Sequence, residues 1–473
     1  MSATRQTQFD SASINGKKES PFMIPWIYIQ PPFEPFMADY KRTFDAWEDG
    51  GVRGIVIGPM TFQQDGGGTI PAFTSDPKVI EPFGVAPPKP HPRDQAKEKQ
   101  LHAMLDDAAS RGWHIMIFAT YPGVGRLPMD QDPYWAVSHA AGLEALMSAF
   151  PQAHGQIADG PGENHYELAF HHGGEVFEIR EHQRQLNAHL GIDIDRMERG
   201  MRHLRDRFGS LTPALVRYHA PGGMLGALQL FDLNEDALYW LRMRQRASLD
   251  SVTAMRNELK RLSRPFEWGC IPRTAAFSSL TGQNYHAFAP LFEYIFPKHY
   301  FWHRGFDGLY GTVSRWVDQL SRWNPDLSEA DCFAVVKAVL GLDMPGVETR
   351  MDMELGFPDE FFSQIVHSET RRALAAVGDD NKVIAWVSTG RSPHAGDPMP
   401  AGDLERILTA SRDAGLKRFL FHCTLELGAA EWRVISSLCG RPWVEDPDGY
   451  WPLNTDNPNT ASWMGNRRRV RRS

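Results

Sequence analysis

The sequence predicts an α/β fold, a (β/α)8 barrel of the TIM type, with a helical insertion after the fourth strand and a C-terminal extension. Short apolar runs recur eight times along the chain, and amphipathic segments with helical spacing separate most of them. Parallel neighbours need a crossover, usually a helix, so this alternation favours a parallel sheet, and eight repeats favour a closed one. Size agrees. A chain of 473 residues with 42% hydrophobic content suits one barrel enlarged by insertions.

A polar head, residues 1–20, is expected to be flexible and precedes the barrel region, 21–440. Residues 21–30 form an apolar first strand. A helix over 37–49 then places Tyr40, Phe44 and Trp47 at spacings of four and three before Gly50 and Gly51 stop it. The second strand is 52–59. Residues 60–94, rich in proline and holding the triplet Gly66 to Gly68, read as a long loop on that strand's C-terminal side. The helix over 96–111 carries Leu101, Met104, Leu105 and Ala108 on one face and closes at Gly112. A third strand, 113–121, and a helix, 134–150, lead into the fourth strand, which ends at Asp159.

The interval 175–262 is too long for one crossover helix. Its first part, about 175–233, contains an amphipathic segment, 175–208, and is read as a helical insertion at the barrel mouth; 235–262 is the crossover itself. Strands five to eight are 266–273, 294–300, 383–388 and 418–423, with helices at 328–340, 403–414 and 429–438. Pro25, Pro272 and Pro297 sit uneasily in central strands and predict irregular strand ends. The extension, 441–473, finishes in a basic run from Arg467 to Arg472, read as a solvated tail.

Composition excludes several classes. A net charge of -8 and a pI near 6.1 give no electrostatic basis for binding nucleic acid. Cys270, Cys332, Cys423 and Cys439 lie far apart with no CxxC pair, so buried free thiols are expected rather than a zinc knuckle or a disulfide framework. Residues 1–20 lack the apolar core of a signal peptide, and no run approaches ~18 uninterrupted apolar residues, which predicts a cytoplasmic protein with no membrane partner. The glycine triplet lacks the Lys-Ser/Thr of a phosphate loop, and no cofactor is expected.

In a barrel of this kind the reactive groups come from the C-terminal ends of several strands. Asp159 and Glu163 are the principal acids, with Asp307, beyond strand six, in reserve. Glycoside hydrolysis needs two carboxyl groups, one to protonate the leaving oxygen and one to attack the sugar or activate water. The same Asp-Gly-Pro-Gly stretch also suits a turn-forming or helix-capping role for Asp159. Glu167 reads as structural, and Glu267, near the start of strand five, points away from the active face.

Tyr121, His165, Arg273, Lys298, His299, Trp302, His303 and His422 are the candidates for orienting hydroxyls or closing a pocket. Trp302 could stack on a sugar ring or fill core. The histidines with Asp159 or Glu163 could make a divalent site, yet there is no HExxH helix and no metal ligand is assigned. No G-x-S-x-G elbow points to serine chemistry.

Three segments carry a family resemblance: Ala158 to Leu168, Pro297 to Gly305, and Glu431 to Ser436. Over most of residues 21–440 the chain resembles (β/α)8 glycoside hydrolase-like proteins, including bacterial relatives. The resemblance implies a barrel, a carbohydrate substrate and cleavage of a glycosidic bond. Two features depart from the common pattern: Glu163-Asn164 stands where many such hydrolases have Asn-Glu after strand four, and residues 383–390 end strand seven without an acid. Families with an aspartate after strand four match the placement of Asp159. Two other readings stay open, a metal-dependent barrel isomerase or lyase acting on a sugar or small acid, and a non-catalytic carbohydrate-binding barrel.

Overall fold

The computed structural model describes residues 22–64, 66–121, 123–160, 176–301, 308–388, 401–422 and 427–444. Its centre is a parallel sheet of nine hydrogen-bonded segments. In chain order these are β1 (Ile24–Ile29), β2 (Gly54–Ile57), β3 (His114–Phe118), β4 (Gly155–Asp159), β5 (Glu267–Ile271), β6 in two halves (Tyr294–Ile295 and Lys298–His299), β7 (Ile384–Val387) and β8 (Arg418–Phe421). Nine segments therefore make eight strands.

The two halves of β6 close the ring. The first half pairs with β5, Cys270 opposite Ile295, and the second pairs with β7, Lys298 opposite Trp386. Ile295 N–H also donates to Lys382 O at 2.8 Å, tying the first half to the chain just before β7. At the other end of the sequence β8 pairs with β1, Phe421 opposite Ile27, so the sheet returns on itself. Pro297 explains the break in β6. It has no N–H to donate to a ladder, but its carbonyl accepts from Trp386 N–H at 2.9 Å and from His299 N–H at 3.0 Å.

Alternation along the strands fills the barrel axis. Trp26, Tyr28, Val56, Met116, Ile157, Ile271, Phe296, Ile384, Trp386 and Leu420 form one inner cluster, and the residues between them face the helices. Glycines make room for the largest rings. A Cβ on Gly54 would stand 2.6 Å from the Trp26 indole, and one on Gly269 would stand 2.7 Å from Phe296.

The helices follow the strands. Tyr40–Asp49 buries Phe44 and Trp47 against Trp113, Gln95–Ser110 starts at Asp94, whose side chain accepts from Lys97 N–H, and Ala136–Ala149 precedes β4. After β4 come Glu181–His189, Ile194–Phe208, Pro213–His219 and Gly223–Leu230, and then the long crossover Glu235–Leu259. The single amphipathic segment expected over 175–208 is thus two helices. The chain turns between them at Gly191, φ 69°, a left-handed backbone that glycine adopts without steric cost. The expected loop over 60–94 instead contains a hairpin, Thr61–Gln63 with Thr69–Pro71, and a short helix, Pro77–Ile80.

Cys270, Cys332 and Cys439 are buried free thiols, and Cys423 lies outside the described residues. No helix among the described residues is long and apolar enough to cross a membrane.

A polar cluster plugs the N-terminal end of the barrel. His114 Nε2 lies 2.6 Å from Glu267 Oε2, and the His114 ring stacks on His154 at 4.1 Å and on Trp26 at 5.0 Å. Arg418 lies over the Tyr294 ring. Ile115 N–H donates to His154 Nδ1, which therefore carries no proton. Burial, then the neighbouring His114, lowers the His154 pKa below its ordinary 6.5. Burial would raise the Glu267 carboxyl, but the hydrogen bond and charge of His114 outweigh it and hold the carboxyl below its ordinary value.

Two predictions follow from this packing. The unfolded chain binds a proton at His154 near pH 6.5 that the folded chain refuses, so stability is full above that pH and falls as pH drops. Glu267 adds to the loss at more acid pH, because its folded carboxyl holds a proton less readily than the unfolded one. Thermal melts from pH 7 to 5 should show a falling melting temperature, with a shallower fall in His154→Asn, which keeps an acceptor for Ile115 without the titrating ring. Separately, Gly54→Ala should cost about 1–3 kcal/mol in urea unfolding, because the added methyl overpacks the barrel against Trp26.

Candidate functional site

The C-terminal ends of the strands converge above an aromatic layer. Tyr28 on β1 lies 5.1 Å from Phe118 on β3 and 5.4 Å from Trp386 on β7, and Trp386 lies 5.7 Å from His422, which follows β8. Tyr300, after β6, approaches His422 at 5.5 Å. The Tyr28 hydroxyl donates to Gly58 O at 2.7 Å, which fixes its ring beside the mouth. His422 itself is anchored through its backbone, its N–H donating to Val387 O at 2.7 Å.

An ion pair spans this mouth. Lys298 Nζ on β6 stands 2.9 Å from Asp159 Oδ1 at the end of β4. The lysine side chain is 3% exposed and the aspartate 31%, so the cation is sealed in while the carboxylate keeps an open side. Thr274 Oγ1 donates to Lys298 O at 2.6 Å and fixes the backbone that presents the ammonium. Arg273, fully buried after β5, donates from Nη2 to Thr312 Oγ1 at 2.6 Å and lies over the Phe277 ring.

Tyr121 stands beside the pair. The chain leaves β3 through Ala119 in a left-handed turn, φ 36°, and Thr120 locks that turn by accepting from Met60 N–H and donating to Phe118 O. The Tyr121 ring is half-exposed, but its hydroxyl faces protein. Burial, and then the nearby Asp159 charge, push its pKa up to about 12, against the opposing pull of the Gln156 amide.

Of the residues expected from the sequence, the structure brings Asp159, Lys298 and Tyr121 together, with His422 in the aromatic layer and Arg273 buried behind β5. His299 is not brought to the pair. It alternates with Lys298 along β6 and packs against Phe301 on the helix side, where burial lowers its pKa to about 4. Glu163, His165, Trp302, His303 and Asp307 lie outside the described residues. Among the described residues no group of three or more His, Cys, Asp or Glu side chains is arranged to hold a metal ion.

Sequence reasoning missed Tyr28, Phe118, Trp386 and Gln156. The first three had a signal, the period-two alternation that turns residues 26 and 28, 116 and 118, and 384 and 386 toward the axis.

No protein family and no curated protein matches this chain. Solved structures do. The chain is similar to the PgaB (BpsB) glycoside hydrolase domain from Bordetella bronchiseptica, at 12% identity and a TM-score of 0.43, over 88% of this chain and 99% of that one. It is similar to a β-galactosidase from the Antarctic haloarchaeon Halorubrum lacusprofundi, at 12% identity and 0.45, over 88% of this chain and 58% of that one. A class V chitinase from Pseudomonas fluorescens Pf-5 aligns at 10% identity and 0.40, over 87% and 99%. The barrel assignment stands on the strand pairing described above, not on these likenesses.

The pair makes a thermodynamic prediction. Removing one member of a buried pair leaves the other charge uncompensated, though the open side of Asp159 lets water relieve part of that cost. Lys298→Met should therefore destabilise the fold by about 1–3 kcal/mol in urea unfolding, below the range for fully buried pairs. Adding Asp159→Asn to that variant should restore part of the loss, and a fully additive double variant would mean that the two groups do not interact in solution.

Proposed function

We propose that this protein is a carbohydrate-active enzyme that cleaves glycosidic bonds at the C-terminal mouth of its barrel. The observation that carries the reading is the Asp159 carboxylate, held by Lys298 at 2.9 Å above a layer of aromatic rings. A carboxylate beside an ammonium is favoured in its charged form, which suits a nucleophile, a base toward water, or a stabiliser of positive charge developing on the sugar. It does not suit the proton donor.

Glycoside cleavage needs that second role as well. We assign it to Glu163, four residues further along the chain after β4, with Asp307 in reserve. Rings at the mouth suit the apolar faces of a pyranose, and the amine and phenol of Lys298 and Tyr121 suit its hydroxyls. His165, Trp302 and His303 complete the proposed substrate contacts, with Arg273 supporting the mouth from behind β5.

Asp159→Asn preserves shape and removes the charge. Turnover on a panel of aryl glycosides should fall by orders of magnitude in a protein that still folds, with a lowered melting temperature because the buried Lys298 ammonium loses its partner. Unchanged turnover would remove Asp159 from the chemistry, and tight sugar binding without turnover in the unaltered protein would make the barrel a binding module.

A further inference from the structure

The helical insertion ends in a hairpin whose outer surface is apolar. Residues 218–231 contain no Asp, Glu, Lys or Arg, in a chain that is 23% charged. Two short helices, Pro213–His219 and Gly223–Leu230, are joined through Ala220–Gly222, and Gly223 turns the chain at φ 60°. Val216, Gly226 and Leu230 face inward and are buried. A Cβ on Gly226 would stand 2.1 Å from His219 O, so the two helices meet backbone to backbone. Outward lie Tyr218, Met224, Leu225 and Leu228, which are 79%, 76%, 68% and 37% exposed.

The hairpin is anchored from behind. Arg217 donates from Nε and Nη2 to the two oxygens of Asp331 at 2.9 and 3.0 Å, which docks the first helix on Glu329–Leu340. Arg207 donates to Leu230 O at 2.8 Å and Gln229 O at 3.1 Å, which closes the end of the second. The exposed apolar groups therefore ride on a fixed frame, and a partner that covers them has little backbone to order.

We propose that this face is a homodimer interface, in which the hairpin of one copy packs on the same hairpin of a second copy about a two-fold axis. Single exposed apolar residues are ordinary, but a contiguous patch of them marks an interaction surface. Side chains of this size offer roughly 100–200 Å² each when fully exposed. At the exposures above, the four supply about two-thirds of the ~1,200 Å² at which specific interfaces begin, counted over both copies. Exposed Pro221, Gly222, Gly223 and Gln229 beside them supply the rest. That size fits a dimer that assembles at micromolar concentration, not one that is obligate.

Charge selects the occupant. A two-fold contact sets a patch against its own image, so in a chain of net charge -8 the contact avoids like-charge repulsion only if the patch is uncharged, as this one is. An anionic lipid surface asks for the opposite, an apolar face rimmed by available cations. The two arginines that anchor the hairpin are already committed, Arg217 to Asp331 and Arg207 to backbone carbonyls.

Sedimentation velocity of the full chain, from about 1 to about 100 µM, tests this without a substrate. The mass should rise with concentration from 53.4 kDa toward twice that value. Leu225→Glu should lower the association constant by about 100-fold or more, because the interface would bury two unpaired carboxylates. Its circular dichroism should match that of the unaltered protein, since the side chain faces water in a single copy. Tyr218→Ser, which removes area without adding charge, should weaken the dimer as well. Val444→Glu, at a position 82% exposed beyond the helix Ala429–Leu438, should leave it unchanged. A chain that stays monomeric throughout the range would overturn the proposal, as would a dimer that Leu225→Glu and Tyr218→Ser leave intact. So would a monomer that binds phosphatidylcholine–phosphatidylglycerol vesicles and loses that binding in Leu225→Glu, because the face would then belong to a lipid surface.

Discussion

Closure of the parallel sheet is the constraint on which the other features depend. A closed ring has no edge strand, so every strand must find partners on both sides, and the inward side chains of all eight strands must share one axis. β6 meets this demand by breaking at Pro297, with its first half paired to β5 and its second to β7. The break has a consequence for the mouth. Lys298 follows the proline directly, in the short half that faces β7, and its side chain reaches Asp159 on β4 across the end of β5. Closure therefore decides which cation meets which carboxylate.

The two ends of the barrel use charge differently. At the N-terminal end the polar groups satisfy one another at close range: Glu267 with His114, His114 stacked on His154, and Ile115 N–H on the His154 ring. At the C-terminal end one ion pair stands over Tyr28, Phe118, Trp386, Tyr300 and His422, and the carboxylate is the partly open member. Loops from several strands meet at that end, which is where barrels place variable chemistry on a fixed frame. The same strands thus carry a stabilising cluster below and a reactive candidate above.

Much of this was legible in the sequence because strand alternation is local. The eight apolar runs, the helices between them and the polar residues at strand ends all follow from neighbours a few positions apart. Asp159, Tyr121 and Lys298 were found for that reason. His299 shows where local reading stops: adjacent residues on a strand face opposite sides, and which of Lys298 and His299 turns inward depends on the register of β6 against β5 and β7, not on its own composition. The split of the insertion at Gly191 and the hairpin over Thr61–Gln63 and Thr69–Pro71 were missed for a related reason. A single glycine in a polar helix and a three-residue strand leave almost no periodic signal.

The surroundings of Gln156 and His139 were invisible to such reading, since His139 meets Trp268, the neighbour of Gln156 on β5, only when a helix packs on the outer face of the sheet. Their placement is not what burial alone would select. Gln156 occupies an outward strand position between Gly155 and Ile157 where a valine would bury without penalty. Each unsatisfied buried polar atom costs about 1–3 kcal/mol, against a net stability of roughly 5–15 kcal/mol for a typical domain. The Tyr121 hydroxyl is the hydrogen-bond partner that offsets part of that cost, so the residue beside the barrel mouth is tied through Gln156 and His139 to the outer face of the sheet.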